Sequence, residues 1–188
     1  MAETASAMLP LGTPAPGFRL PDPARGQEVS LQDVRTERGL LVAFLSNHCP
    51  FVKHVKAELI RFGEEYGARG LGIVAVMSND IEKYPDDAPA KMAEQGYPFP
   101  YLFDESQEVA RAYRAACTPD FFLFDGEGAL VYRGRLDASR PGNDRPVNGE
   151  DLRAAADALL AGQPAPTPQT PSIGCSIKWK SPFVRGRG

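Results

Sequence analysis

Little in this chain equips it for a nucleic acid, a membrane or a metal. A net charge of −3 over 188 residues offers no cationic field to a polyanion. No apolar run approaches the roughly 18 residues of a membrane-spanning helix. The opening, MAETASAMLPLGTPAP, has neither the basic nor the apolar region of a secretory signal, so a cytoplasmic, reducing compartment is the expectation. Cysteine is sparse: Cys49, Cys117 and Cys175, an odd number at long spacings. That pattern does not make a disulfide framework and leaves thiols kept for chemistry or merely tolerated. Histidine is scarcer still, with His48 and His54 close to Cys49. Neighbours such as His48 and Cys49 seldom chelate one ion, and no acid or second cysteine follows at ligand spacing. No metal and no other cofactor is expected. The basic residues of the tail, Lys178, Lys180, Arg185 and Arg187, lack the interleaved aromatics that stack on single-stranded nucleic acid. They read as a solvated or docked terminus.

What is present centres on Gly39 to His54, GLLVAFLSNHCPFVKH. Leu40 to Leu45 is a short continuous apolar run, the pattern of a strand buried on both faces. After Pro50 the period changes, and Phe51, Val55, Leu59, Phe62 and Tyr66 recur at helical steps. Proline suits the first helical position, where its missing N–H is not needed. Cys49 therefore falls where a buried strand meets a helix N-terminus, whose free N–H groups and dipole favour a thiolate. The plainer reading is a small buried hydrophobe, as many free cysteines are. The junction, with His48, Lys53 and His54 beside it, favours reactivity.

Residues 1–13 read as a poorly ordered leader. Phe18-Arg19-Leu20 and Glu28 to Leu31 form a β-hairpin around a Pro/Gly turn, and Ser30 with Asp33 opens a single helical turn. A helix over about 50–67 leads to a second buried strand, Leu71 to Met77, in a right-handed parallel crossover. Ser78-Asn79-Asp80 then closes that strand at the same end of the sheet as Cys49, the end where open α/β sheets bind ligands. Further helices are predicted over Asp86–Gln95 with Asp86 or Asp87 as its cap, over Glu105–Ala115 with Asp104 as N-cap and Gln107 at the capping-box position, and over Glu150–Ala161. Tyr97–Phe103 is extended. Cys117–Phe124 combines a proline with a strongly apolar strand, and after the turn at Gly126-Glu127-Gly128 the segment Ala129–Arg133 pairs back on it as a hairpin. One domain spans 14–162, and 163–188 is a proline-rich linker with a basic tail.

This order of elements, with a cysteine after the first core strand and Thr118-Pro119 before the antiparallel hairpin, resembles the thioredoxin fold. The resemblance implies an α/β protein with a central mixed sheet flanked by helices, extended here by the N-terminal hairpin, and a cis Pro119 beside Cys49. TPAPGFRLPD…GQEVSLQDV resembles the opening of peroxiredoxins and TlpA-like proteins of the alkyl hydroperoxide reductase/thiol-specific antioxidant family. NHCPFVKH, SND, CTPDFF and SIGCSIKWK together resemble a peroxiredoxin-like bacterial subgroup of redoxin-domain proteins. Ser46 fits the Thr/Ser that peroxiredoxins place three residues before their reactive cysteine. Val42 stands where they carry a proline, and their active-site arginine has no counterpart by spacing, leaving Arg133, Arg135 or Arg140 as substitutes. Val52 occupies the second cysteine position of Cys-x-x-Cys, which rules out a local dithiol.

The resemblance implies a thiol oxidoreductase in which the Cys49 thiolate attacks a peroxide and becomes a sulfenic acid. Ser46 and the helix N–H groups would hold the peroxide, with Asn47, His48, Asn79, Arg133 and Arg135 lining the site. Cys117, two residues before Pro119, is the first choice of resolving thiol, and Cys175 the second. A thioredoxin or a low-molecular-weight thiol would return the electrons, and a homodimer is open. Two alternatives stand beside this: thiol–disulfide exchange through mixed disulfides, and a non-catalytic binding protein that kept the fold.

Overall fold

The computed structural model describes residues 3–181; Met1, Ala2 and residues 182–188, which include Arg185 and Arg187 of the basic tail, lie outside the described residues. In chain order the strands are β1 (Glu3–Ala5), β2 (Arg19–Asp22), β3 (Gln27–Ser30), β4 (Leu40–Phe44), β5 (Gly72–Met77), β6 (Tyr101–Phe103), β7 (Cys117–Thr118), β8 (Asp120–Phe124), β9 (Leu130–Gly134) and β10 (Ile173–Ser176). The helices are α1 (Leu31–Val34), α2 (Pro50–Ala68), α3 (Pro89–Ala93), α4 (Glu108–Ala112) and α5 (Glu150–Leu160). The main sheet runs β6-β5-β4-β8-β9. Its β4, β5 and β6 are parallel, and β8 joins β4 antiparallel with β9 beyond it.

A strand can be apolar at every position only where both faces are covered, and β4 has such a place. None of its residues exceeds 2% exposure. Alternate side chains go to opposite layers, as the period of two requires. Leu41 and Ala43 pack with Leu59, Phe62 and Tyr66 of α2 and with Leu152 and Ala155 of α5. Leu40, Val42 and Phe44 face the other way, onto Val109, Tyr113 and the β2–β3 hairpin. The helical stripe on α2 is met by Val52, Val55, Leu59, Phe62 and Tyr66, all buried, while Phe51 is half-buried at the first turn. At the α1 turn, the Ser30 N–H and hydroxyl both donate to the Asp33 carboxylate.

Three expectations are corrected. Of the leader read over 1–13, the described residues 3–13 are tied down: β1 pairs with β10, and the Gly12 N–H donates to the Leu130 carbonyl. The helix read over 86–95 is a 3-10 turn, Pro85–Asp87, followed by the short α3, because Pro89 cannot continue the turn before it. The helix read from Glu105 begins at Glu108. Its N-cap is Gln107, in the left-handed region at φ 66°, and Asp104 instead accepts the N–H groups of Val109 and Ala110. The proline-rich tail also returns to the body of the protein, where β10 pairs with β7.

The start of β5 is crowded by the chain before β4. A Cβ at Gly72 would lie 2.0 Å from the Val34 carbonyl oxygen and 3.1 Å from that of Gly39. Gly72→Ala is therefore expected to lower stability by about 1–3 kcal/mol, the usual cost of overpacking. The readout is a fall in the urea midpoint at constant m-value. An unchanged midpoint would show that the Val34 backbone yields freely.

Candidate functional site

The site forms where β4 ends and α2 begins. Cys49 is the N-cap of α2, extended at φ −67° and ψ 121°, with Pro50 at the first helical position. Its sulfur points inward and is fully buried. Two groups meet it. The Thr118 carbonyl oxygen lies 3.2 Å away, and the Cys175 sulfur 2.8 Å away. All three cysteines are free thiols. The Thr118–Pro119 bond is cis.

These contacts set the ionisation of the pair. Once Cys49 is ionised the Cys175 S–H can donate to it, and this draws the Cys49 pKa well below the ordinary thiol range; burial opposes this, and hydrogen bonds from the Thr118 side chain and from the N–H groups of Val52 and Cys175 add to it. Cys175 moves the opposite way: as the donor to an ionised Cys49, and itself buried, it holds its proton. Neutral Cys49 can give its S–H to Thr118, and when ionised it becomes the acceptor of the Cys175 proton. One sulfur is thus set up as thiolate and its neighbour as thiol.

The geometry reverses the order of preference between the two other cysteines. In the β10–β7 register Cys175 stands opposite Thr118, and Ser176 opposite Cys117. Neighbouring residues of a strand project to opposite faces, so Cys175 reaches Cys49 while Cys117 projects elsewhere. The Cys117 thiol is directed at the carbonyls of Pro119 and Ser172. Burial, and then the nearby Asp120, push its pKa up.

The residues before Cys49 serve a different centre. Asp87 is fully buried and collects the Ser46 hydroxyl, the Asn47 N–H at 2.7 Å, the Asn79 amide at 2.8 Å and His48 Nδ1 at 2.7 Å. A carboxylate only accepts, so His48 carries its proton on Nδ1 here. Burial works against the Asp87 charge, but the hydrogen bonds from His48 and Asn79 outweigh it and hold the carboxyl below its usual range. Ser46 is therefore committed to Asp87 and not aimed at the Cys49 sulfur. Asn79 also accepts the Lys178 N–H, which ties this hub to the tail. The hub was missed in the sequence because Asp87 lies about 40 positions from the turn it organises, in a stretch that reads as a helix cap.

The arginines lie off the sulfur. Arg133 holds the Leu9 carbonyl and Gln169, and Arg135 pairs with Asp151. Arg140 approaches Glu3 at 3.7 Å. Arg135 and Arg140 do border an open pocket that Phe51, Pro119, Ser172 and Ile173 also line. Among the described residues no cluster of three metal-ligating side chains forms, and no helix is long and apolar enough to cross a membrane.

Comparisons with known proteins agree with this architecture. A solved structure of an uncharacterized conserved protein from Geobacillus kaustophilus superposes with a TM-score of 0.95 at 54% identity, covering 97% of this chain and 98% of that one. A hypothetical protein from Sinorhizobium meliloti 1021 gives 0.92 at 49% identity, covering 95% and 100%. A curated relative, the thiol:disulfide interchange protein DsbE of Allochromatium vinosum, is 28% identical over 157 residues, 80% of this chain and 78% of its own. The Redoxin profile matches residues 10–151, from before the hairpin into α5. The cysteine at the strand–helix junction, the cis Thr118–Pro119 bond and the mixed five-stranded sheet are thus those of a thioredoxin-like protein, and the chain belongs to the Redoxin family.

Proposed function

We propose that this protein is a thiol-based oxidoreductase of peroxiredoxin-like type, with Cys49 as nucleophile and Cys175 as resolving thiol. The observation that carries the reading is the buried pair of free thiols, their sulfurs 2.8 Å apart, at the N-terminus of α2. The Cys49 thiolate attacks one oxygen of a peroxide, the O–O bond breaks, and the departing oxygen leaves as hydroxide, or as alkoxide from an organic peroxide. A proton converts it to water or an alcohol. The Cys175 sulfur then attacks the Cys49 sulfenic acid, releasing a second water and leaving a Cys49–Cys175 disulfide. Two thiols of an external reductant, a thioredoxin or a low-molecular-weight thiol, restore both cysteines by exchange. With Ser46 engaged by Asp87, the N–H groups at the start of α2 and the otherwise unpartnered Thr118 hydroxyl are donors available to hold the peroxide.

Thiol–disulfide exchange is the second reading, favoured by the relative named as a thiol:disulfide interchange protein. There the same thiolate attacks a disulfide, and Cys175 resolves the mixed disulfide.

Brief treatment of the full-length protein with hydrogen peroxide, read by intact mass, tests the assignment. The wild type is expected to lose about 2 Da, the two thiol hydrogens of one disulfide. Cys117→Ser should lose the same, Cys175→Ser should stop at a trappable sulfenic acid, and Cys49→Ser should do neither. A disulfide that survives Cys175→Ser but not Cys117→Ser would assign resolution to Cys117 instead.

The pH dependence tests the origin of the thiolate. Because Cys49 ionises below the ordinary range, its oxidation rate should change by less than about threefold between pH 8 and pH 6. An unperturbed thiol with pKa about 8.5 would slow by nearly a hundredfold. Cys175→Ala removes the donor and should move the fall in rate toward neutral pH, whereas Cys175→Ser keeps a hydroxyl donor and should move it less. Identical profiles for the two variants would show that the helix N-terminus alone sets the ionisation.

A further inference from the structure

The tail occupies the ground on which an extended substrate would have to lie. The β7 edge, directly before Pro119 and over the Cys49 sulfur, is paired with β10, and β1 covers the outer edge of β10. The edge of β7 that faces β10, and both edges of β10, are therefore already paired. The fit is close. A Cβ at Gly174 would lie 2.0 Å from the Thr118 carbonyl oxygen and 3.2 Å from the Pro119 nitrogen, so a residue other than glycine could not sit there without displacing the strand.

The strand is also clasped at both ends. At its start Ser6 and Ser172 exchange hydrogen bonds at 2.8 and 2.9 Å, and the Ser172 hydroxyl donates to the Pro119 carbonyl. Beyond its end the Ile177 N–H donates to the Ala116 carbonyl, the Lys178 N–H to Asn79, and Gln107 grips both the Lys178 carbonyl and the Lys180 N–H. Cys49 and Cys175 are left 0% and 2% exposed. The pocket lined by Phe51, Pro119, Ser172 and Ile173 comes up to the outer side of this cover. A molecule little larger than water needs only a side-chain fluctuation in that wall, whereas a peptide disulfide needs the strand removed. The Redoxin profile stops at residue 151, so the cover lies outside the segment that the family match describes.

We propose that β10 is a selectivity filter, which admits small peroxides to Cys49 and excludes peptide and protein disulfides. This rests on Cys49 being the nucleophile. The peroxide step is the one balanced above. The excluded step would be attack of the Cys49 thiolate on one sulfur of the peptide disulfide, forming a mixed disulfide and releasing the other half as a thiolate.

The test isolates the first step in full-length Cys175→Ser protein, where the strand stays and no resolution follows. Hydrogen peroxide, with a sulfenic-acid trap, and a disulfide-linked dimer of a short extended peptide are compared at equal concentration, reading the Cys49 adduct by mass. The peptide is expected to react at least about a hundredfold more slowly, the factor carried by a few net hydrogen bonds. Adding Gly174→Val unseats the strand and should reduce that peroxide-to-peptide ratio by at least about tenfold. Gln107→Ala, which loosens only the far clasp and contributes nothing to the sulfur site, should shift the ratio the same way by about threefold. Equal rates in the Cys175→Ser protein, or a ratio unmoved by both variants, would overturn the filter. Absence of any adduct with either oxidant would instead refute the assignment of Cys49 itself.

Discussion

Everything at this site follows from one pairing, the two-residue ladder that sets Cys175 opposite Thr118. It joins residues far apart in sequence, so the chain must close a long loop before the contact returns anything. Its local stability is borrowed from β1 on the outer side and from the Asn79 and Gln107 clasps. Once made, it does two things at once. It removes the last solvent from the Cys49 sulfur, and it supplies the proton donor that lets the sulfur ionise without solvent.

Those effects pull in opposite directions. Burial disfavours a thiolate, because a charge loses more on leaving water than a neutral thiol does. Cys117 shows what burial does alone: its pKa is pushed up, with the Asp120 carboxyl adding to the shift. Cys49 escapes because a thiol donor and a helix N-terminus stand within reach. The difference between an inert and a reactive cysteine in this protein is therefore not exposure, since both are fully buried. It is whether a hydrogen is aimed at the sulfur.

The parts of this arrangement readable from sequence are those fixed within a few residues. The apolar run into β4, the switch of period at Pro50 and the placing of Cys49 between them depend on local pattern, and the structure has them. The hairpin at β2–β3 and the Ser30–Asp33 turn were legible for the same reason. What was illegible is what long-range pairing decides. Glu3–Ala5 and Ile173–Ser176 are short segments, the second following a proline-rich stretch, with too little apolar character to announce a strand; β1 becomes one only by pairing with β10, and β10 by pairing with β1 and β7. Cys117 looked nearer to the site because it sits two residues before Pro119, yet the alternation of a strand turns it to the wrong face. Asp87 carried no signal, since an acid next to Pro85 and Pro89 reads as a cap until the Ser46–His48 turn is seen to close over it.

The Asp87 hub gives the closed site its rigidity. Ser46, Asn47 and His48 span the step from β4 to α2, and each gives a hydrogen to the same buried carboxylate. Asn79, at the end of β5, donates to that carboxylate and accepts from Lys178 in the tail. The segment that presents Cys49 and the segment that presents Cys175 are thus fastened to one another through two polar side chains, independently of the sulfur contact. A resolving thiol carried on a loose tail would find its sulfenic acid by diffusion and could lose it to over-oxidation. Here the two sulfurs already lie together as free thiols, so the proposed condensation needs no large motion. In that reaction a small oxidant enters past the side chains beside β10, and the larger motion, of β10 itself, is left to the step in which a bulky reductant reaches the finished disulfide.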